Sequence, residues 1–152
     1  MTYYPDQLAD LEEIKAVTHR YGIALDKFDI DGVLSEFLPD AVFDATAFGL
    51  SRMEGHNELR DFFQHNTDAM ASQMHMFANH VIEFDGPDTA HGTNYLLEDG
   101  VANNGARITC LGRNEDHYVR TEDGWRIATR VITPLVPPQI AGYYESESAT
   151  VT

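Results

Sequence analysis

The sequence predicts an α+β fold, with helices in its first half and a run of antiparallel strands in its second, and three observations carry that expectation. Leu8, Leu11, Ile14, Val17, Tyr21, Leu25 and Phe28 recur every three or four residues, the stripe of a helix with one buried face. From His75 onward the pattern changes to strands, punctuated by Asp-Gly and Gly-Pro dipeptides. The helical and strand patterns occupy separate stretches and do not alternate, which argues against a parallel sheet built from strand-helix-strand units.

The elements follow in order. Pro5 stands near the start of the first helix, with Asp6 and Asp10 in its first turns, as a helix N-terminus favours. A second, short helix is expected in "DIDGVLSEFL", stopped by Pro39. The segment "AVFDATAF" has the β-branched and aromatic content of a strand. After "SRMEG", residues Leu59, Phe62, Phe63 and Met70 restore helical spacing. The strands expected next are "HMFANHVIEF", "TAHGTNYLLE", "RITCLGRNEDHYVR" and "WRIATRVIT", separated by "DGPD", a loop "DGVANNGA" and "TEDG". Residues 1–133 are expected to form one domain. Residues 134–152, with three prolines and a polar end, are expected to form an extended, partly flexible arm.

A chain of 152 residues can bury roughly 70% of the surface its unfolded state exposes, enough for one proper core. No apolar run approaches the roughly 20 residues that cross a bilayer. The first residues lack the basic and apolar regions of a signal peptide, so a cytoplasmic location is expected. With 25 acidic against 10 basic residues, the formal charge of −15 repels phosphate backbones and anionic membranes. Neither nucleic acid nor membrane is therefore an expected partner. The single cysteine, Cys110, can form no internal disulfide and reads as a buried thiol.

Familiar metal and phosphate motifs are missing: the sequence has no nucleotide-type Gly-rich loop, no HExxH and no pair of CxxC units. No serine lies in a strand-to-helix elbow. His75 and His80 are an odd number of residues apart, so in a regular strand they leave opposite faces and cannot share a metal unless a bulge intervenes. On that alternation His75 shares a face with Phe77, Asn79 and Val81, and His80 with Met74, Met76, Ala78 and Ile82. The remaining polar set is Tyr21 and Asp26 at the end of the first helix, His75 and Asn79 on one strand, and Arg130 on the last strand. On pattern alone each also has a structural reading: a packed strand histidine, a solvated helix-end carboxylate, an edge or interface arginine.

Four motifs in order add a resemblance. They are "HRYGIALDKFDIDGVLSEFLPDAVFD", "MEGHNELRDFF", "MHMFANHVIEFDG" and "DGWRIATRVITP". From Leu8 to Thr133 the sequence resembles the SnoaL-like, scytalone dehydratase-like branch of the nuclear-transport-factor-2-like superfamily. The resemblance implies a cone, a strongly curved antiparallel sheet wrapped around N-terminal helices and enclosing an apolar pocket. It implies a catalytic Asp/His dyad at Asp26 and His75, an arginine that helps hold a leaving group at Arg130, and a pocket hydrogen-bonding position at Tyr21. Phe77, Asn79, Tyr95 and Leu111 are expected to bind substrate. The second histidine of scytalone dehydratase falls near Thr93. That enzyme's pocket tyrosine and the carboxylate base of ketosteroid isomerase both fall near Ala45, with Asp44 on the other face.

The activity so implied is that of a cofactor-independent lyase removing water or a similar leaving group from a small to medium apolar or aromatic ring compound. The alternatives are an isomerase or cyclase of polyketide or steroid-like compounds, and a non-catalytic binding or assembly subunit like the dioxygenase β subunits. A curved sheet with an apolar outer face needs covering, so a homo-oligomer is expected, a trimer ahead of a dimer. The arm carrying Pro137, Pro138, Tyr143 and Tyr144 is expected to act as a lid or an interface element.

Overall fold

A computed structural model describes residues 2–140. A short 3-10 turn, Pro5–Gln7, leads into α1, Leu8–Asp26, whose inner face buries Leu11, Ile14, Val17, Tyr21 and Leu25 as the stripe requires. The helix stops two residues short of Phe28. That residue takes a left-handed φ of 56°, and the Asp29 N–H reaches back to the Ala24 carbonyl at 2.9 Å, which caps the last turn. Asp29 then caps α2, Ile30–Ser35, by accepting from the Gly32 N–H at 3.0 Å.

The first strand, β1, spans Phe37–Asp44 and so begins four residues before the stretch expected. Pro39 lies inside it, tolerated because the pairing of β1 is irregular between Phe37 and Val42, where a missing N–H costs no ladder bond. β2, Arg52–Glu54, hairpins onto β1 and leads into α3, Gly55–Ala69. The entry to α3 is held by Glu58, whose carboxylate accepts from the Glu54 N–H at 2.7 Å. Met70 opens the long strand β3, Met70–Phe84, and is not the last residue of the helix as its spacing suggested. β4 is Thr89–Ala102, β5 Arg107–Thr121 and β6 Gly124–Pro134. The first half of the loop expected at 99–106, Asp99 to Ala102, is thus strand.

The six strands form one curved, unclosed sheet in the order β2-β1-β6-β5-β4-β3. Four of the five neighbouring pairs are antiparallel in the manner expected, but β1 pairs with β6 in parallel, joining the two ends of the fold. α1 packs on β3 and β6, and α3 on β1. Ile14, Val17, Ile82, Tyr118, Trp125 and Ile127 are almost fully removed from water between these layers. Each contributes about 1.5–3 kcal/mol of burial energy. Among the described residues no helix is long and apolar enough to cross a membrane.

One irregularity decides which side chains face inward. Between Ala78↔Tyr95 and Val81↔Thr93 the β3–β4 pairing gains one residue on β3, with Asn79 at a left-handed φ of 53°. Beyond this bulge the alternation is inverted. Asn79 and Val81 are exposed, while His80 and Ile82 join His75 and Phe77 on the inner face. This corrects the assignment of the two histidines to opposite faces, because the bulge restores an even phase between them.

Candidate active site

The site begins with a glycine. A Cβ on Gly22 would lie 2.7 Å from the Phe77 ring and 3.8 Å from the His75 Cβ, so only glycine lets α1 approach β3 this closely. That approach carries Asp26, at the last turn of α1, onto His75. The His75 N–H donates to Asp26 Oδ2 at 3.0 Å, and Nδ1 lies 2.7 Å from Oδ1. A carboxylate can only accept, so Nδ1 carries the proton and, in the neutral ring, Nε2 is the free acceptor. The His75 side chain is 7% exposed and that of Asp26 26%, which keeps the pair connected to the cavity without immersing it in solvent.

Glu98 completes this level of the sheet. It stands directly opposite His75 on β4, with Oε1 3.7 Å from Nε2, and directly opposite Cys110 on β5. Burial pushes the Cys110 thiol up to about 12, with the charge of Glu98 and a hydrogen bond to it adding to the effect, so it remains an unionised thiol. Glu98 was not singled out in the sequence. Its signal lay in the hairpin: counting back from the turn places Asp99 opposite His75, and the bulge at Asn79 changes that partner to Glu98.

Arg130 is wholly buried, directly opposite Asp116 on β5. Its Nε and Nη2 donate to the two Asp116 oxygens, both at 2.8 Å, and Nη2 also donates to Thr18 Oγ1 at 3.1 Å. Burial works against its charge, but the Asp116 carboxylate outweighs that and holds the guanidinium protonated well above its ordinary range. The rings of Tyr21 and Phe77 lie over it, 4.7 Å and 5.7 Å from the guanidinium carbon to the ring centroids. Arg130 is not among the residues that line the cavity. Nε and Nη2 are taken by Asp116 and Thr18 and Nη1 has no hydrogen-bond partner, so the contact expected of Arg130 with a leaving group is not seen in the cavity wall. Tyr21 itself faces the cavity, and burial, opposed by Arg130, keeps its phenol protonated far above neutral pH.

The cavity has a volume of about 580 Å³. Its walls include Phe43, Phe62, Phe63, Phe77, Leu96 and Ile132, with His75, Glu98 and Asn114 as polar members. Of the four residues expected to bind substrate, only Phe77 lies in this wall. Asn79 is on the exposed bulge, and Tyr95 and Leu111 belong to the opposite face of the sheet, since strand alternation turns their neighbours Leu96 and Cys110 inward. Ala45 is buried, and Asp44 is half-buried, accepts from the Thr46 hydroxyl at 2.7 Å and does not line the cavity. His80 bonds through Nε2 to the Tyr118 hydroxyl at 2.9 Å; burial, with Arg130 nearby, pushes it down to about 4 against the pull of Asp116. Ile140, within the expected arm, lines the cavity, and Gln139 pairs with Thr109. Tyr143 and Tyr144 lie outside the described residues.

A curved mixed sheet over N-terminal helices enclosing an apolar cavity is a fold shared with the nuclear-transport-factor-2-like family. The chain belongs to the SnoaL-like domain family, whose profile matches residues 6–131. It is similar to a candidate aromatic ring hydroxylase of Novosphingobium aromaticivorans, at 32% identity over 86% of this chain and 92% of that one, with a TM-score of 0.83. A candidate scytalone dehydratase of the same organism shares the fold at 14% identity, covering 86% and 87% of the two chains, with a TM-score of 0.80. A hexachlorocyclohexane dehydrochlorinase shares it at 21% identity, covering 86% and 92%, with a TM-score of 0.74.

Proposed function

We propose that the protein is a cofactor-independent lyase that eliminates water or a similar leaving group from an apolar ring compound. The observation that carries this reading is the 2.7 Å contact between His75 Nδ1 and Asp26 at the wall of an apolar cavity. In the proposed reaction Nε2 removes a proton from a ring carbon next to an activating group. The C–H electrons become the new C=C bond, and the C–O bond breaks with its electrons on oxygen. The imidazolium, or the Tyr21 phenol, returns a proton to the departing oxygen, so the products are the alkene and water. Asp26 holds the tautomer and shares the positive charge that His75 gains. Such acid–base catalysis contributes about 10²- to 10⁴-fold in rate. Relatives named for dehydration and dehydrochlorination support the reading, since both reactions are eliminations.

The outer face of the sheet carries exposed Met74, Met76, Val81 and Tyr95, which favours self-association through this surface. Sedimentation of the purified chain, alone and with Met76→Lys, reads that out: an oligomer that dissociates in the variant supports it, and a wild-type monomer rejects it. For the activity, hydroxylated ring compounds are screened with wild type beside His75→Ala. A dehydrated product formed by wild type alone supports the lyase; a product formed equally by both removes His75 from the chemistry.

A further inference from the structure

The backbone N–H of His75 bonds to Asp26 on the open side of β3, so it takes no part in the β3–β4 ladder. His75 and Glu98, directly opposite each other, are therefore a pair without mutual backbone hydrogen bonds, the closer of the two kinds in an antiparallel sheet. Their side chains meet as a result. Glu98 Oε1 lies 3.7 Å from Nε2, on a side chain that is 16% exposed and forms part of the cavity wall. Asp26 holds the Nδ1 proton, which leaves Nε2 facing a carboxyl group. An imine nitrogen and a carboxylate both accept, and in a partly dry wall two acceptors repel unless a proton lies between them. The geometry suits a pair that passes one proton back and forth.

The other titratable groups around the cavity are placed for other work. The Cys110 thiol is pushed up to about 12 by burial, and burial holds the Tyr21 phenol protonated far above neutral pH, so both give up a proton poorly. Glu58 is exposed and accepts from the Glu54 N–H at 2.7 Å, and Asp61 and His65 are exposed on the same helix. Elimination of water needs two proton transfers at neighbouring atoms, one off carbon and one onto the departing oxygen. With Nε2 and Oε1 3.7 Å apart, there are points about 3 Å from both, within the reach of proton transfer.

We propose that Glu98 is the acid that protonates the leaving oxygen, in place of the imidazolium or the Tyr21 phenol. The proposal rests on the lyase reading and names the donor for the second half of its proton transfer. Nε2 takes the proton from carbon, and the C–H electrons become the C=C bond. The C–O bond breaks with its electrons on oxygen, and that oxygen takes the proton of the Glu98 carboxyl, so water leaves. The imidazolium Nε2–H then faces the Glu98 carboxylate and returns the proton to it. Both groups are restored with no proton drawn from solvent.

The test is turnover of β-hydroxytetralone, a ring ketone with its hydroxyl two carbons from the carbonyl, and of its β-chloro analogue, each corrected for spontaneous elimination. Chloride departs without a proton, so only the hydroxyl needs the acid. Glu98→Gln is expected to lose at least about 10²-fold on the hydroxy compound and to stay within about threefold of wild type on the chloro compound. Glu98→Asp, which keeps an acid on a shorter stem, should recover part of the hydroxyl reaction, and His75→Ala should lose both. Should the variants fail to fold, wild type still gives a readout: heavy water should slow the hydroxyl reaction more than the chloride reaction. The proposal is overturned if the folded Glu98→Gln keeps the hydroxyl turnover, or if heavy water slows both reactions equally. It is also overturned if Glu98→Gln loses both reactions to the same extent, since Glu98 would then act only through His75. In each of these cases the lyase reading stands. A wild type that eliminates from neither compound overturns the two together.

Discussion

Gly22 and Phe77 meet so closely that a Cβ at residue 22 would lie 2.7 Å from the Phe77 ring. This contact sets the distance between α1 and β3, and through it the position of Asp26 beside His75. In an open helix Gly→Ala gains about 1 kcal/mol. Here the added methyl enters packed space, which costs about 1–3 kcal/mol. Gly22→Ala is therefore expected to lose stability by about 1 kcal/mol, the reverse of the helix rule. Urea unfolding checks this: a lower midpoint at unchanged slope is expected, and a raised midpoint would show that α1 does not depend on this approach.

The buried Arg130–Asp116 pair makes a second expectation. Removing one partner of a buried pair strands the other charge and costs about 3–5 kcal/mol. Arg130→Met should be destabilised by that amount. Arg130→Lys should recover only a part, because an ammonium cannot span both Asp116 oxygens, bond Thr18 and lie flat beneath Tyr21 and Phe77. Chemical denaturation of the two variants beside wild type measures both; a cost below about 1 kcal/mol for Arg130→Met would mean that the pair is not dry.

His80 gives a pH dependence whose sign is fixed. Its folded value is pushed down to about 4 by burial, whereas the unfolded chain takes up the proton near ~6.5. Between those values the unfolded state binds more protons, so stability is fully present above the unfolded value and is lost as pH falls toward 4. From neutral pH to about pH 5 the loss from this residue is about 1–2 kcal/mol. His80→Gln, which can still donate to the Tyr118 oxygen, should show a shallower decline over that range. Thermal unfolding at several pH values compares the two, and parallel curves would remove His80 as the source.

How much of this was legible in the sequence depends on whether the information was local. The helix that ends at Asp26 and the strand that carries His75 follow from spacing within single segments, and their pairing was implied by the family motifs around them. The bulge at Asn79 was not legible. One added residue changes the phase of every side chain beyond it, and "ANHV" gives polar and apolar types in either phase. That single residue exchanged the sides of Asn79 and His80 and put Glu98 opposite His75. Tyr95 and Leu111 were misplaced for a related reason, since an apolar side chain on a strand fits an outer interface face as well as a pocket. The charge of Arg130 was visible, but Asp116, its partner across the β5–β6 ladder, could be seen only once that register was known. The parallel β1–β6 pair joins segments far apart in the chain and leaves no local mark.

The most direct measurement is the turnover of a hydroxylated ring substrate by Asp26→Asn beside wild type. Asparagine keeps the size of the side chain and removes the charge that holds the Nδ1 proton and stabilises the imidazolium. With Asp26 and His75 acting as an acid–base pair, turnover should fall by at least about 10²-fold while the fold and ligand binding persist. Turnover retained at the wild-type level would contradict the assignment of this pair as the catalytic centre.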